Sequence, residues 1–138
     1  MLRFLVPSLL AVCIVPAAGC QKGPPEITVL SGTVKLDGRP VTAGTVNIVS
    51  SDDVVRTSAK IAPDGTYTIV GAPVGPVTLS VSTEDYRTIL PEPGSGAKER
   101  ANPLYVATPK KYEKFESSGL STIISKGKAV YNVELASK

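Results

Sequence analysis

The carboxylates that could act in pairs as a general acid and base are Asp52, Asp53, Asp64, Glu84 and Asp85. Each lies in a turn or at the end of an apolar run, where carboxylates are common because they accept hydrogen bonds from turn backbone. Two adjacent pairs, Asp52-Asp53 and Glu84-Asp85, also offer the oxygen ligands that Ca²⁺ prefers, but neither has the ordered ligand spacing of a calcium loop. We therefore expect neither catalysis nor a metal site from these residues.

The sequence also has few residues for nucleophilic catalysis or zinc binding. The sequence has no His, and its two cysteines are Cys13 and Cys20. If the first residues are removed on export, a Ser-His-Asp triad, a Cys-His pair and zinc sites of His or Cys are all excluded from the remaining chain. We predict a protein that is not an enzyme and has no cofactor.

The N-terminal residues have the organisation of a signal peptide. Arg3 supplies a positive start, Phe4 to Val15 is an apolar run, and small residues follow. A membrane-spanning helix needs about 20 apolar residues, and this run is shorter and contains Pro7 and Ser8. We predict that residues 1–19 are a signal peptide.

The residues Ala17, Ala18, Gly19 and Cys20 resemble the lipobox of bacterial lipoproteins. This resemblance implies cleavage before Cys20 and acylation of its thiol by chains such as palmitate, which contribute about 0.8 kcal/mol per buried methylene. Residues 20–26 would then form a short tether, in which the six residues after Cys20 span at most about 20 Å. The alternative is cleavage by ordinary signal peptidase near Ala18, which would release a soluble exported domain with one free cysteine.

From Ile27 onward, apolar and polar residues alternate with period two between turn residues. The runs predict about seven short strands and no well-supported helix, so we expect an all-β fold, a single antiparallel β-sandwich over residues 27–138. A last hairpin is predicted from Thr122–Ser125 and Tyr131–Leu135 around Lys126-Gly127-Lys128. The side chains expected to share one core are Val34, Ile48, Tyr67, Leu79, Val81 and Val133.

The segment 84–119 interrupts this pattern with four prolines and a Pro/Gly/Ser-rich stretch. We expect it to lie outside the sandwich core, with its least ordered part at 91–100. Its aromatic and basic residues allow two interpretations. They could form a binding surface for sugars or acidic polymers, or the rings could pin the segment to the sandwich. The candidate surface consists of Tyr105, Lys110, Lys111, Tyr112 and Phe115.

Several stretches of the chain together resemble carboxypeptidase-regulatory-like domains, which belong to the transthyretin-like β-sandwich group. They are Ser31 to Val41, Gly44 to Ile48, Asp64 to Ile69 and Gly75 to Val81. The C-terminal part, including Pro109 to Tyr112 and Val130 to Leu135, looks like small envelope lipoproteins of planctomycete-type bacteria. The resemblance implies a seven-stranded sandwich and export, and it implies no activity.

The charge distribution and the predicted sandwich indicate the class of partner. Net charge is +3 with acids and bases interspersed, which gives no basic stripe for nucleic acid. We expect an exported lipoprotein of the cell envelope, on the periplasmic side of a membrane or on the outer membrane, that serves as a non-catalytic binding or structural module. Because sandwich edges accept an added strand, an envelope protein is the favoured partner, and cell-wall glycan is the alternative.

Overall fold

The computed structural model describes residues 27–138. The predicted signal peptide, with Ala17, Ala18 and Gly19, and the tether with Cys20 lie outside the described residues. Within 27–138 the chain folds as an all-β sandwich, which confirms the predicted fold class. In this same range, none of the helices has the length and apolar character needed to cross a bilayer.

Two facing sheets build the sandwich. Sheet I is centred on β1 (Val29–Leu36), which pairs with β2 (Arg39–Pro40), β5 (Thr66–Val70), β10 (Lys128–Val130) and β11 (Val133–Leu135). Sheet II has the order β4-β3-β6-β9, with β3 at Thr45–Ser50, β4 at Arg56–Lys60, β6 at Gly75–Ser82 and β9 at Leu120–Ile124. If β10 and β11 are counted as one interrupted strand, seven main strands form the sandwich.

The core follows from the period-two alternation. Successive side chains of a strand point to opposite faces, so paired strands that alternate in phase bury one face together. In sheet II, Ile48 lies opposite Leu79 and Val46 lies opposite Val81, and all four side chains are fully buried. The six residues predicted to share one core do so: Val34, Ile48, Tyr67, Leu79, Val81 and Val133.

The predicted C-terminal hairpin is wrong. β9 pairs with β6 in sheet II, whereas β10 and β11 pair with β1 in sheet I, in parallel. The turn at residues 125–127 therefore carries the chain from one sheet to the other. Local alternation and a Gly-containing turn are the same for a hairpin and for a crossing between sheets. They indicate where the chain turns, and they do not indicate which sheet each strand joins.

One interrupted strand closes sheet I. β10 pairs with Val29–Ser31 and β11 pairs with Val34–Leu36, and the register is the same on both sides of the break. At the break, Asn132 replaces a backbone acceptor, since its Oδ1 lies 3.2 Å from both the N and the Oγ1 of Thr33. Gly32 lies under the carbonyl of Tyr131, so closely that a Cβ atom there would overlap the oxygen.

The sandwich has two distinct ends. At the Ile27 end lie the start of β1, the loop 51–55, the loop 71–74 and the turn 125–127. Backbone hydrogen bonds connect them: Gly71 N donates to Thr28 O (2.9 Å), Ser51 N to Pro76 O (3.1 Å) and Val29 N to Gly127 O (2.8 Å). At the Leu135 end lie the turns 37–38 and 61–65, the segment 84–119 and the C-terminus.

The segment 84–119 is more structured than its composition indicates. It contains a 3₁₀ helix at Glu84–Tyr86, a small hairpin of β7 (Thr88–Ile89) and β8 (Arg100–Ala101), a second 3₁₀ helix at Lys110–Glu113, and one turn of helix, α1, at Phe115–Ser118. Residues 92–100 are exposed throughout. The second half of the segment packs against β6, and it places Tyr112 in the core.

Candidate functional site

Tyr112 is an anchor of the segment rather than part of an exposed surface. Its ring is buried in the core cluster, and its hydroxyl accepts a hydrogen bond from Ala136 N at 2.9 Å and lies 3.3 Å from Ala136 O. A buried Tyr whose hydroxyl is paired in this way fixes the chain around it. Of the two interpretations of these aromatic residues, the structural one applies at this position.

The other members of the predicted surface are spread over the molecule. Tyr105 is half-buried at the Leu135 end, and its hydroxyl donates to Glu84 Oε2 at 3.2 Å. Burial and this hydrogen bond raise the pKa of the Tyr105 phenol. Lys110 and Lys111 are exposed, and Lys111 Nζ lies 4.8 Å from the centroid of the Tyr112 ring and 3.2 Å from Lys138 O.

Phe115 lies elsewhere, over the outer face of sheet II. It is the first residue of α1, and Ser118 at the other end of α1 ties the helix to β6 by donating from Oγ to Leu79 O at 2.6 Å. The Arg56 guanidinium carbon lies 5.5 Å from the centroid of the Phe115 ring. Arg56 also contacts Asp53 Oδ1, from Nη2 at 2.6 Å and from Nε at 3.0 Å.

Two shallow depressions meet at this Arg56–Phe115 pair, and we call them together the Arg56–Phe115 groove. The first encloses about 250 Å³ and is lined by Asn47, Ile48, Arg56, Thr57, Ser58 and Phe115. The second encloses about 260 Å³ and is lined by Val49, Ser50, Ser51, Asp53, Arg56, Thr78, Phe115 and Glu116. Together they cross the outer face of β3 and β4, with the aromatic ring and the guanidinium between them.

The register of sheet II explains the polar floor of this groove. Asn47 lies opposite Ser58 of β4 and Ser80 of β6, so all three point away from the core. Asn47 Nδ2 donates weakly to Ser80 Oγ at 3.4 Å. Ser80 is buried and lies outside the groove lining, so the short polar side chains of Asn47 and Ser58 form this part of the floor and can make hydrogen bonds there.

The carboxylates considered for catalysis serve the turns around them. Asp64 Oδ1 accepts hydrogen bonds from Thr66 N at 3.0 Å and from Thr66 Oγ1 at 2.6 Å, and these bonds lower its pKa. Asp52 accepts from Ser50 Oγ and from Val54 N, which likewise lowers its pKa. A lowered pKa keeps each carboxylate ionised and makes it a poor proton donor near neutral pH.

The remaining candidate acids are also placed as structural groups or on the surface. Asp53 pairs with Arg56, and Glu84 pairs with Arg87 at 3.3 Å, while Asp85 is exposed. Across residues 27–138, no three acidic or other metal-ligating side chains come together in a group that could hold a metal ion. The groove presents an aromatic ring, a guanidinium paired with a carboxylate, an amide and several hydroxyls.

Sequence reasoning named Phe115 but missed its neighbours in the groove. The alternation in β4 already indicates that Arg56 and Ser58 face away from the core, as does Asn47 in β3. That signal identifies an outer face without saying what covers it. Phe115 is separated from Arg56 by 59 positions in the chain, and only the path of the segment 84–119 brings them together.

No protein-family model and no curated protein matches the chain. Among solved structures, a DUF3823 family protein from Parabacteroides merdae ATCC 43184 gives a TM-score of 0.46 at 12% identity, over 81% of this chain and 47% of that chain. A DUF3823 family protein from Bacteroides ovatus ATCC 8483 gives 0.42 at 14% identity, over 80% of this chain and 44% of that chain.

A third similar structure is the dioxygenase domain of a dioxygenase carbohydrate-binding protein fusion from Streptomyces sp. SirexAA-E. Its TM-score is 0.41 at 14% identity, over 86% of this chain and 84% of that chain. This chain spans a little under half the length of the two DUF3823 proteins. At these TM-scores and identities, the similarities carry no information on what this chain binds.

Proposed function

We propose that this chain is a non-catalytic binding module of the bacterial cell envelope, exported and held at a membrane by acyl chains on Cys20. Its binding surface is the Arg56–Phe115 groove, and its partner is another envelope protein. The observation that carries the proposal is the position of this groove beside β4. The strand β4 is the last strand of sheet II and pairs with β3 alone among the described strands.

An edge strand beside a groove suits an extended peptide. The backbone of a partner segment can pair with the open edge of β4, and its alternate side chains can reach the depressions on either side of Phe115. Arg56 stands between the depressions with about three fifths of its side chain exposed, so it can turn from Asp53 to a carboxylate or carbonyl of the partner. Such an exposed ion pair costs little to exchange.

The anchoring part of the proposal rests on the sequence before the described residues. The resemblance of Ala17 to Cys20 to a lipobox supports acylation, and Gln21 to Glu26 supply a tether of six residues. We also assign the sandwich to the carboxypeptidase-regulatory-like domains of envelope lipoproteins. This assignment is supported by the Asp37-Gly38 and Asp64-Gly65 turns that carry the resemblance, each of which joins two strands.

Cell-wall glycan is the second candidate for the same groove. The observation in its favour is the combination of an aromatic ring, Phe115, with the neutral polar side chains of Asn47 and Ser58 in one depression. Sugars stack on aromatic faces and exchange hydrogen bonds with amides and hydroxyls. Arg56 already lies over the Phe115 ring, so stacking would require it to move, which makes glycan the weaker candidate.

A pull-down tests the binding proposal. The lipidated chain, used as bait on detergent-solubilised envelope, should retain a stoichiometric protein partner, and Arg56→Ala and Phe115→Ala should each reduce its recovery. Arg100→Ala is the matched control because Arg100 is an exposed arginine in the small hairpin of the segment 84–119. Retention by purified cell wall with the same dependence on Phe115 would indicate glycan, and unchanged recovery with both groove variants would exclude the groove.

Fractionation tests the anchor separately. Replacing Cys20 with Ser removes the thiol to be acylated, so the domain should move from the membrane to the soluble fraction. Mass spectrometry of the wild-type chain should find residues 1–19 absent and Cys20 acylated. Membrane retention of the Cys20→Ser chain, with its N-terminal residues still present, would contradict the lipoprotein interpretation.

A further inference from the structure

Exposed aliphatic side chains are concentrated at the Ile27 end of the sandwich. Ile27, Val54, Val70, Val74 and Ile123 are each more than half exposed, and they come from four separate parts of the chain. A single exposed aliphatic residue is ordinary on a protein surface, whereas a group of them at one end is typical of an interaction site.

Backbone hydrogen bonds and strand register place these residues at the same end of the sandwich, with Val70 on the outer face of sheet I and Ile123 on the outer face of sheet II. The loop that carries Val74 is tied to Thr28, one residue after Ile27, by donation from Gly71 N and Ala72 N. Val70 lies directly opposite Val29 in sheet I, and Ile123 lies opposite Pro76 in sheet II. The loop 51–55, which exposes Val54, is joined to this group by the bond from Ser51 N to Pro76 O.

The charged side chains at this end are either engaged locally or basic. The loop 71–74 has no charged residue. In the neighbouring loop, Asp52 turns back to Ser50 and Val54 N, and Asp53 is paired with Arg56. Lys126 and Lys128 are exposed beside them, and lysine can cover apolar surface with its stem while its ammonium reaches a phosphate.

The opposite end has a different character. Around the hairpin of β7 and β8, the segment 84–119 exposes a mixture of acids and bases, including Glu92, Lys98, Glu99 and Arg100. Two aliphatic residues of this segment, Leu90 and Leu104, are exposed among these charges. The eight residues of β1 separate the two ends by roughly 25 Å, so only one of them can rest on a flat surface.

We propose that the Ile27 end is a lipid-contacting surface, on which the aliphatic side chains of Val54, Val74 and Ile123 lie in the interface of the bilayer to which Cys20 is anchored. This inference rests on the proposed acylation of Cys20. The tether of six residues ends at Ile27, so an acylated Cys20 keeps this end within about 20 Å of the bilayer. The anchor supplies the affinity, and the aliphatic end fixes how the sandwich stands on the membrane.

This orientation leaves the first depression of the Arg56–Phe115 groove open and brings the second close to the bilayer. The first depression lies on the side of the sandwich, on the outer face of sheet II, whereas the second is bordered by Ser51 and Asp53 of the loop that carries Val54. With the Ile27 end against lipid, β4 and the groove face sideways over the membrane surface, where other membrane-bound envelope proteins are concentrated. A partner anchored to the same bilayer would meet the groove without having to displace the domain.

Tryptophan fluorescence tests the orientation, because the sequence contains no Trp. The full chain, produced in a bacterium that acylates lipoproteins, carries a single reporter at Val74→Trp, Val54→Trp or Leu90→Trp. Each chain is reconstituted into vesicles of phosphatidylethanolamine and phosphatidylglycerol, with or without lipids brominated in their acyl chains. Because two reporters lie on separate loops of the Ile27 end, the test remains possible if one of these variants fails to fold. The unfolding midpoint of each of the three variants shows whether it is folded.

The expected result is a difference between the ends. Emission from the Val74→Trp and Val54→Trp chains should shift to shorter wavelength and lose intensity with brominated lipid, while emission from Leu90→Trp should keep its position and intensity. Equal quenching of all three reporters, or quenching of none, would overturn the inference while leaving the anchor intact. Mass spectrometry separates the two proposals, because a Cys20 without acyl chains would overturn both.

Discussion

The hydroxyl of Tyr67 donates a 2.7 Å hydrogen bond to the carbonyl oxygen of Tyr131. Tyr67 belongs to β5, and Tyr131 is the residue at which the closing strand is interrupted between β10 and β11. Between them lies Gly32 of β1, which is opposite Tyr67 in the sheet register. One side chain therefore satisfies the backbone acceptor that the interruption releases, and it does so across the central strand of sheet I.

This hydrogen bond predicts a pH dependence for stability. Burial raises the pKa of the Tyr67 phenol. Below about pH 10, the ordinary pKa of tyrosine, Tyr67 is neutral in the folded and unfolded chains, and its contribution to stability is fully present. Above that pH, the unfolded chain releases the proton more readily than the folded one, so stability falls as the pH rises toward the raised pKa.

The measurement is the urea midpoint between neutral and alkaline pH. Tyr67→Phe should lower the free energy of unfolding at pH 7 by about 1 to 3 kcal/mol, because it leaves the Tyr131 carbonyl without its donor, and it should weaken the alkaline decline. Tyr86→Phe is the control, since its hydroxyl bonds to Thr45 Oγ1 in a partly buried position outside the core cluster. An alkaline decline as steep in Tyr67→Phe as in the wild type would contradict the prediction.

Gly32 should tolerate no side chain. A Cβ atom at this position would overlap Tyr131 O, so Gly32→Ala must displace the interrupted strand or shift β1. Such overpacking costs about 1 to 3 kcal/mol or more. The neighbouring Ser31→Ala is a matched control because it removes atoms instead of adding them. Thermal unfolding should separate the two variants clearly, and a Gly32→Ala midpoint equal to that of Ser31→Ala would mean that the strand adjusts freely.

Adjacent residues of β6 should respond differently to truncation. Leu79 is fully buried and lies opposite Ile48, so Leu79→Ala should cost about 2 to 5 kcal/mol. Thr78 points to the outer face, where it lines the groove, and Thr78→Ala should leave the unfolding midpoint almost unchanged. Denaturant unfolding of the two variants measures this difference, which depends on the register of β6. A similar decrease in the free energy of unfolding for both variants would show that this register is incorrect.

The tip of the small hairpin should be the first site of proteolysis. Residues 92–100 are all exposed, so limited trypsin should cut after Lys98 or Arg100 before it cuts within the sandwich. Deleting Glu92–Lys98 leaves a short turn between β7 and β8 and should change stability by only fractions of a kcal/mol through loop closure. Thermal unfolding followed by circular dichroism measures the stability of the deletion variant. Unfolding of the deletion variant would mean that the tip supports the core.

The sequence by itself determined which side of each main strand is buried. Alternation with period two is a local property, and it assigned Val34, Ile48, Tyr67, Leu79 and Val133 to one core without any knowledge of which strands are neighbours. The turn at Asp37-Gly38 was equally readable, because both residues have positive φ there, which this pair accepts in a two-residue hairpin. The sequence alone also limited the possible active sites, because it has no His and both of its cysteines, Cys13 and Cys20, precede the sandwich.

Only the tertiary structure decided which strands pair and what the long segment covers. Parallel pairing of β1 with β10 and β11 joins residues 99 positions apart, and a hairpin with β9 would have buried the same side chains. Tyr112 and Phe115 are three positions apart with similar local sequence, yet one is in the core and the other lies over sheet II. Their difference arises because packing depends on the whole path of the segment across the sandwich, and periodicity records only the nearest neighbours in the chain.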